Sequence, residues 1–181
     1  AVAGTLMGDT LTSDLIDGAT TTPIDGAFTL DAAGSSFLAS GTTLSFSSFE
    51  TINGGAGADT FLVTSDFTAT LTSGAGNDVF TLGAGVVFTG TIDSGADDDG
   101  LSLGDGANLS GPFIAGTGDD SLDLSGFTTA RDVSLTGLNT VDGGYDGTAN
   151  GLGFDFTSVN TILGSGAVGS DDSLSGVAQD A

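Results

Sequence analysis

The chain has 181 residues, enough for one domain with a real core, and carries 24 acidic residues against one basic residue, Arg131, for a net charge of −23. Such a surface repels nucleic-acid phosphates and anionic membranes and attracts multivalent cations. With no Cys and no His, disulfides, thiol chemistry and soft transition-metal sites are excluded, and no apolar run reaches the roughly 18 residues of a membrane-spanning helix.

Acidity of this degree often accompanies disorder, but only when hydrophobicity is low. Here 38% of residues are hydrophobic, mean hydropathy is +0.27 and 12 Phe are spread along the chain. The 32 Gly and 2 Pro point to tight turns. Among the acids only Glu50 is not Asp, a poor helix former and a good turn and metal residue. No stretch sustains helical apolar spacing, so the expected class is all-β.

Residues 1–45 hold weak echoes of a turn motif (Gly8, Asp9, Thr10, Leu11) and are expected to form an N-terminal capping or assembly segment. From residue 46 a β-solenoid is expected to run to residue 181. Its clearest part is 54–124, where Gly54-Gly55-Ala56-Gly57-Ala58-Asp59-Thr60-Phe61-Leu62 recurs in degraded form from Ser73, Ser94 and Ala115. The last Asp of each copy falls at Asp59, Asp78, Asp99 and Asp120, a period near 20 residues.

After each Asp comes a period-2 stretch: Phe61 and Val63, Phe80 and Leu82, Leu101 and Leu103, Leu122 and Leu124. Alternation of this kind puts the apolar members on one face of a strand. A second apolar group follows at Phe67 and Leu71, Phe88 and Ile92, Leu109 and Phe113, then Phe127, Val133 and Leu135. Each coil is therefore expected to hold two inward-facing strand segments. A Gly-Asp turn makes one corner, and Gly83, Gly85, Gly104, Gly106 and Gly126 mark the other. The stretches Phe46–Gly54, Leu138–Gly143 and Phe156–Gly164 look like irregular coils of the same kind, and Asp171 and Asp172 like a last turn. The expected fold is a parallel β-solenoid of the β-roll or β-helix type, with about 20 residues per coil.

Gly54 to Leu62 fully matches the nonapeptide G-G-x-G-x-D-x-U-x and so resembles the RTX (haemolysin-type) calcium-binding repeats. In that family the turns form a parallel β-roll that holds calcium with Asp carboxylates and backbone carbonyls. The resemblance implies Asp59, Asp78, Asp99 and Asp120 as carboxylate ligands. Asn77, Asp97, Asp98 and Asp119 stand beside them, and Gly55, Gly57, Gly74, Gly76, Gly95, Gly116 and Gly118 occupy the turn positions. The chain departs from the family in carrying the motif at one corner per coil, as in a relative with a single calcium ladder or in solenoid repeats of large bacterial surface adhesins. Asp97 stands where the turn calls for Gly.

The charge pattern calls for calcium independently. Carboxylates stacked at the ~4.8 Å strand spacing repel by roughly 3 kcal/mol per pair at an effective dielectric near 20. Arg131 cannot serve four sites. Calcium accepts about 6–8 oxygen ligands in irregular geometry, whereas magnesium demands a stricter octahedron. The plain alternative is that these Asp only cap turns and keep the surface soluble.

The favoured function is non-catalytic: an extracellular, calcium-stabilised structural protein, as an adhesin module on a bacterial cell surface, a matrix or S-layer component, or a filament subunit. A chain that begins at Ala1 fits a processed or excised piece of an exported protein. Expected partners are calcium ions, and further copies joined head to tail or neighbouring domains of a larger surface protein. No nucleic acid and no membrane span are expected. A polysaccharide-acting β-helix enzyme could use Asp119 and Asp120, or Asp171 and Asp172, as acid and base. Sequence neighbours on a strand point to opposite faces, however. An ice-binding solenoid is the third class, on Thr68, Thr70, Thr89 and Thr91, but that ladder stops at Ser110 and Pro112.

Overall fold

The structure, a computed structural model, describes residues 5–7, 15–17, 24–140, 142–168 and 171–176. The turn echo at residues 8–11 lies outside the described residues, as does Val141 within the expected coil at 138–143.

Every regular element among the described residues is a β-strand. In chain order these are β1 Thr5–Met7, β2 Leu15–Asp17, β3 Gly26–Leu30, β4 Ser35–Ala39, β5 Thr42–Ser47, β6 Thr51–Ala56 and β7 Thr60–Val63. There follow β8 Phe67–Thr68, β9 Thr70–Ala75, β10 Val79–Leu82, β11 Val87–Thr89, β12 Ile92–Asp93, β13 Gly100–Gly104 and β14 Asn108–Ser110. The last are β15 Phe113–Ile114, β16 Ser121–Gly126, β17 Asp132–Leu138, β18 Tyr145–Asn150, β19 Phe154–Val159, β20 Thr161–Leu163 and β21 Ser173–Ser175. They make three sheets: nine strands in the order β1-β5-β4-β3-β7-β10-β13-β16-β20, nine in the order β2-β6-β9-β12-β15-β19-β18-β17-β21, and three in the order β14-β11-β8.

Between residues 51 and 124 the chain visits the sheets in rotation, and each strand pairs in parallel with its counterpart one pass later. The expected alternation sets the register. Phe61, Phe80, Leu101, Leu122 and Ile162 are aligned partners in the first sheet. Ile52, Leu71, Ile92, Phe113 and Phe156 are aligned in the second, and Phe67, Phe88 and Leu109 in the third. These columns meet in one apolar core. The Phe28, Phe61 and Phe80 rings stack within it, with centroids 4.7 Å apart at both contacts. That spacing matches the strand separation, so the aromatic column adds offset-stacking energy to the ladder beneath it.

Two features differ from the sequence-based expectation. Phe67 and Leu71 lie on separate strands, β8 and β9, so a pass has three faces where two were expected. The extra corner falls at Ala69, Gly90 and Gly111, where a Cβ on Gly90 would overlap the Ala69 carbonyl of the neighbouring pass. The parallel stack is also interrupted near each end. Strands β3-β4-β5 and β17-β18-β19 are antiparallel meanders. Ser40 (φ 49°) and Gly41 (φ 76°) form a two-residue left-handed turn between the paired residues Ala39 and Thr42. That geometry closes a hairpin and reverses the chain. Left-handed Gly143, Gly144, Gly151 and Gly153 flank the strands of the second meander. The expected coil at Leu138–Gly143 therefore belongs to an antiparallel excursion.

The spacing irregularity of the repeat has one location. Paired residues Val63 and Leu82 are followed by paired Phe67 and Phe88. The shorter pass thus lacks two residues at the corner leaving the first sheet, and the aspartates resume register beyond it.

Replacing Phe61, fully buried in the stacked ring column, by Ala should lower the free energy of unfolding by about 3–5 kcal/mol. Its outward neighbour Leu62 is 38% exposed and should cost less than about 1 kcal/mol on the same change. Urea denaturation of both variants distinguishes this register from one shifted by a residue, which would exchange the two values.

Candidate metal centre

The Gly-rich corner connects β6 to β7, β9 to β10, β12 to β13 and β15 to β16. Gly55, Gly74, Gly95 and Gly116 all have positive φ there, between 88° and 105°. A Cβ on Gly74, Gly95 or Gly116 would overlap the carbonyl oxygen of the equivalent residue one pass earlier. Glycine is thus demanded both by backbone conformation and by the closeness of stacked turns. Gly57, Gly76 and Gly118 form a second left-handed row, and Asp97 completes it with φ 78°. Asp tolerates this conformation better than most residues. The Asp97 turn therefore keeps the geometry of its neighbours, and its carboxylate accepts the Gly76 N–H at 3.0 Å.

Asp59, Asp78, Asp99 and Asp120 each stand one residue before the strand that follows the turn. They share the inward parity of Phe61, Phe80, Leu101 and Leu122, and no more than 3% of any of them is exposed. Parallel register puts them in a single column. Asp59 N–H donates to Asp78 Oδ1 at 2.7 Å, Asp78 N–H to Asp99 Oδ1 at 2.7 Å, and Asp99 N–H to Asp120 Oδ1 at 2.9 Å. The chain of bonds extends beyond the motif at both ends. Gly26 N–H donates to Asp59 Oδ1 at 2.7 Å, and Asp120 N–H donates to Asn160 Oδ1 at 3.1 Å.

Each carboxylate has a second oxygen, and all four Oδ2 atoms are buried without a hydrogen-bond partner. The Ser73 and Ser94 hydroxyls lie beside the Asp78 and Asp99 carboxyls and moderate their shift, but Ser73 donates to the Ser94 carbonyl at 2.6 Å and Ser94 to the Ala115 carbonyl at 2.8 Å. An uncompensated buried polar oxygen costs about 1–3 kcal/mol, and more when it is charged. Burial accordingly pushes the Asp59 and Asp120 carboxyls up to about 6 and Asp99 up to about 8, against an ordinary 3.8. Asp78 moves in the same direction for the same reason. Donated N–H groups oppose the shift, and neighbouring carboxylates add to it.

A second ladder runs outside the first. Ala58 N–H donates to Asp25 Oδ1 at 3.1 Å, Asp98 N–H to Asn77 Oδ1 at 3.4 Å, and Asp119 N–H to Asp98 Oδ1 at 3.0 Å. These side chains are exposed. The inner column reaches back to the preceding pass, and the outer one reaches forward to the next. The candidate ligands thus divide into a dry row (Asp59, Asp78, Asp99, Asp120) and a wet one (Asn77, Asp97, Asp98, Asp119), with the glycines between. Asp119 and Asp120, adjacent in sequence, face opposite ways. Asn160, Asp25, Gly26 and the two serines were not anticipated. Asn160 had a signal: it precedes Thr161 and Ile162 as Asp120 precedes Ser121 and Leu122.

The donor set is all oxygen and anionic, which fits calcium, and the orphaned Oδ2 atoms are the ones a cation would satisfy. Among the described residues no three acidic side chains converge on one point. A resident ion would therefore draw on the stacked carboxylates of Asp59, Asp78, Asp99 and Asp120 and not on a single cluster of acidic side chains. When bound it would supply the positive charge the column lacks. Arg131 does not supply it, since its guanidinium lies over the Phe127 ring, 4.2 Å from the centroid.

Comparison of the chain with family models, with curated proteins and with solved structures finds no match. The column's own chemistry gives a sign for pH dependence. Between about pH 4 and pH 8 the folded aspartates retain protons that the unfolded chain, titrating near 3.8, has already released. In chelator, stability should therefore be greatest near pH 4 and fall as pH rises to 8. Thermal melting across that range checks the direction, and a melting temperature that rises instead contradicts the buried column.

Proposed function

We propose that the chain is a non-catalytic structural protein: a β-solenoid whose buried aspartate column is neutralised by calcium. Its context would be extracellular, as an adhesin module, a matrix or S-layer component, or a filament subunit. The observation that carries this reading is the row of four buried Oδ2 atoms in register, each without a donor. Parallel sheets visited in rotation support the solenoid, and the nonapeptide at Gly54–Leu62 supports kinship with RTX-type repeats. A net charge of −23 with one Arg leaves the counter-charge to the solvent. The separation of Asp119 from Asp120 across the turn disfavours paired acid–base chemistry. Paired Thr68, Thr89 and Ser110 are exposed, but a hydroxyl row only three strands long is a small surface for ordering ice.

Binding to the folded state alone raises stability by mass action. Calcium at one hundred times its dissociation constant should raise the unfolding free energy by about 2.7 kcal/mol per site at pH 7, relative to chelator. Asp78→Asn keeps the acceptor for Asp59 N–H but removes charge from the dry row. It should raise the melting temperature in chelator and shrink the gain from calcium. Asp66→Asn changes an exposed acceptor for Val87 N–H at the opposite corner and should leave the gain intact. Equal melting with calcium and with chelator at pH 7 would reject calcium and leave protons to neutralise the column.

A further inference from the structure

The two large sheets have equal numbers of strands but are displaced along the stacking direction. The Gly-rich corner joins β6, second in its sheet, to β7, fifth in the other, and the same offset of three positions persists from β9–β10 through β19–β20. At the N-terminal end the first sheet therefore projects past β2 by three strands, β4, β5 and β1. At the C-terminal end the second sheet projects past β20 by three strands, β18, β17 and β21. Each overhang is about 14 Å deep at the ~4.8 Å strand spacing.

The overhangs are complementary in depth and in strand direction. Each sheet contains two antiparallel pairings, which cancel. The edge strands β1, β20, β2 and β21 therefore all run parallel to the strands of the central stack. A displacement by nine strand spacings, about 43 Å, brings β20 of one copy beside β1 of the next. The same displacement brings β21 beside β2.

The inner faces of the overhangs are apolar; Phe46 on β5 and Val133 on β17 are buried, and among the described residues the exposed members lie at the margins of these faces. Leu44 shares the face of Phe28 and Phe37 yet is 36% exposed, and Leu174 shares the face of Val133 yet is 66% exposed. In the angle beneath the C-terminal overhang lies an open recess of about 210 Å³ lined by Leu124, Ile162, Val133 and Leu174, with Arg131 and Asp172 among its polar lining.

We infer that the chain stacks head to tail on further copies of itself, with the β4-β5-β1 edge of one copy packing against β17-β21 of the next and its side chains filling the recess there. Both sheets continue through the junction as parallel ladders. The contact is heterologous, so each junction leaves one free end of each kind and the product is an open filament. The inference rests on the structural-protein reading but is independent of calcium. Copies carrying −23 each repel, so salt that screens the charge favours assembly.

The test uses the purified full chain in chelator and high salt, over a concentration series, by analytical ultracentrifugation and electron microscopy. Expected are elongated oligomers that grow with concentration and show an axial repeat of about 43 Å. Leu174→Asp and Leu44→Asp, on opposite halves of the junction, should each return the protein to monomer with an unchanged melting transition. Leu38→Asp, on the other face of β4 and 44% exposed, should assemble like the parent. Monomers at every concentration, dimers that stop at two copies, or Leu174→Asp and Leu44→Asp variants that fold and still assemble would each overturn the inference. Assembly is read in chelator and calcium by melting, so either proposal can fail alone.

Discussion

A buried aspartate that accepts a backbone N–H from the preceding pass ties this fold together. The bond fixes two things at once. It sets the vertical order of the turns, because each carboxylate meets the amide of its own counterpart 19 or 21 residues away. It also sets the parity of the strand that follows, because an inward Asp59 forces Phe61 and Val63 inward. Charge-assisted hydrogen bonds are among the stronger ones in proteins, yet each of these leaves its second carboxylate oxygen dry. The column is strong in geometry and weak in electrostatics, and that imbalance makes it a candidate site.

The exposed outer ladder ties the turns together without relieving the imbalance, since the Asp25, Asp97, Asp98 and Asp119 carboxylates push the inner carboxyls up further. Asp25, Asn77 and Asp98 accept amides from the pass that follows. The turns ending at Asp59, Asp99 and Asp120 are thereby held by side chains from both neighbours, whereas the turn ending at Asp78, which follows the turn carrying Ala58, is held by Asp97 and Asp99 of the next pass alone. This double attachment explains how Asp97 occupies a left-handed position otherwise filled by Gly. Its carboxylate bonds to Gly76 N–H, and the surrounding turns over-determine its backbone.

The central passes were legible in the residues because three independent signals coincide there: the left-handed glycines, the aspartate, and the period-2 alternation of Phe61–Val63, Phe80–Leu82, Leu101–Leu103 and Leu122–Leu124. Alignment of the four aspartates followed from their spacing. Their burial could be read only from parity with Phe61 and its equivalents. The antiparallel meanders were illegible as coils or hairpins from alternation alone, since Phe154 and Phe156 alternate as a parallel strand would. What reverses the chain is a pair of left-handed residues such as Ser40 and Gly41, a short turn signal easily lost among 32 glycines. The third face was hidden because β8 and β9 are separated by a single residue, Ala69. Asn160 was hidden because the insertion of a meander stretches its distance from Asp120 to 40 residues.

The two-residue difference between the short and long passes sits entirely at the corner after Val63, where Thr64, Ser65 and Asp66 stand in place of the five residues from Gly83 to Val87. Neither the ring stack nor the carboxylate row is disturbed by it. A change of segment length at that corner is thus absorbed locally. Segments inserted at this edge would display new loops at strand-spacing intervals from an unchanged spine.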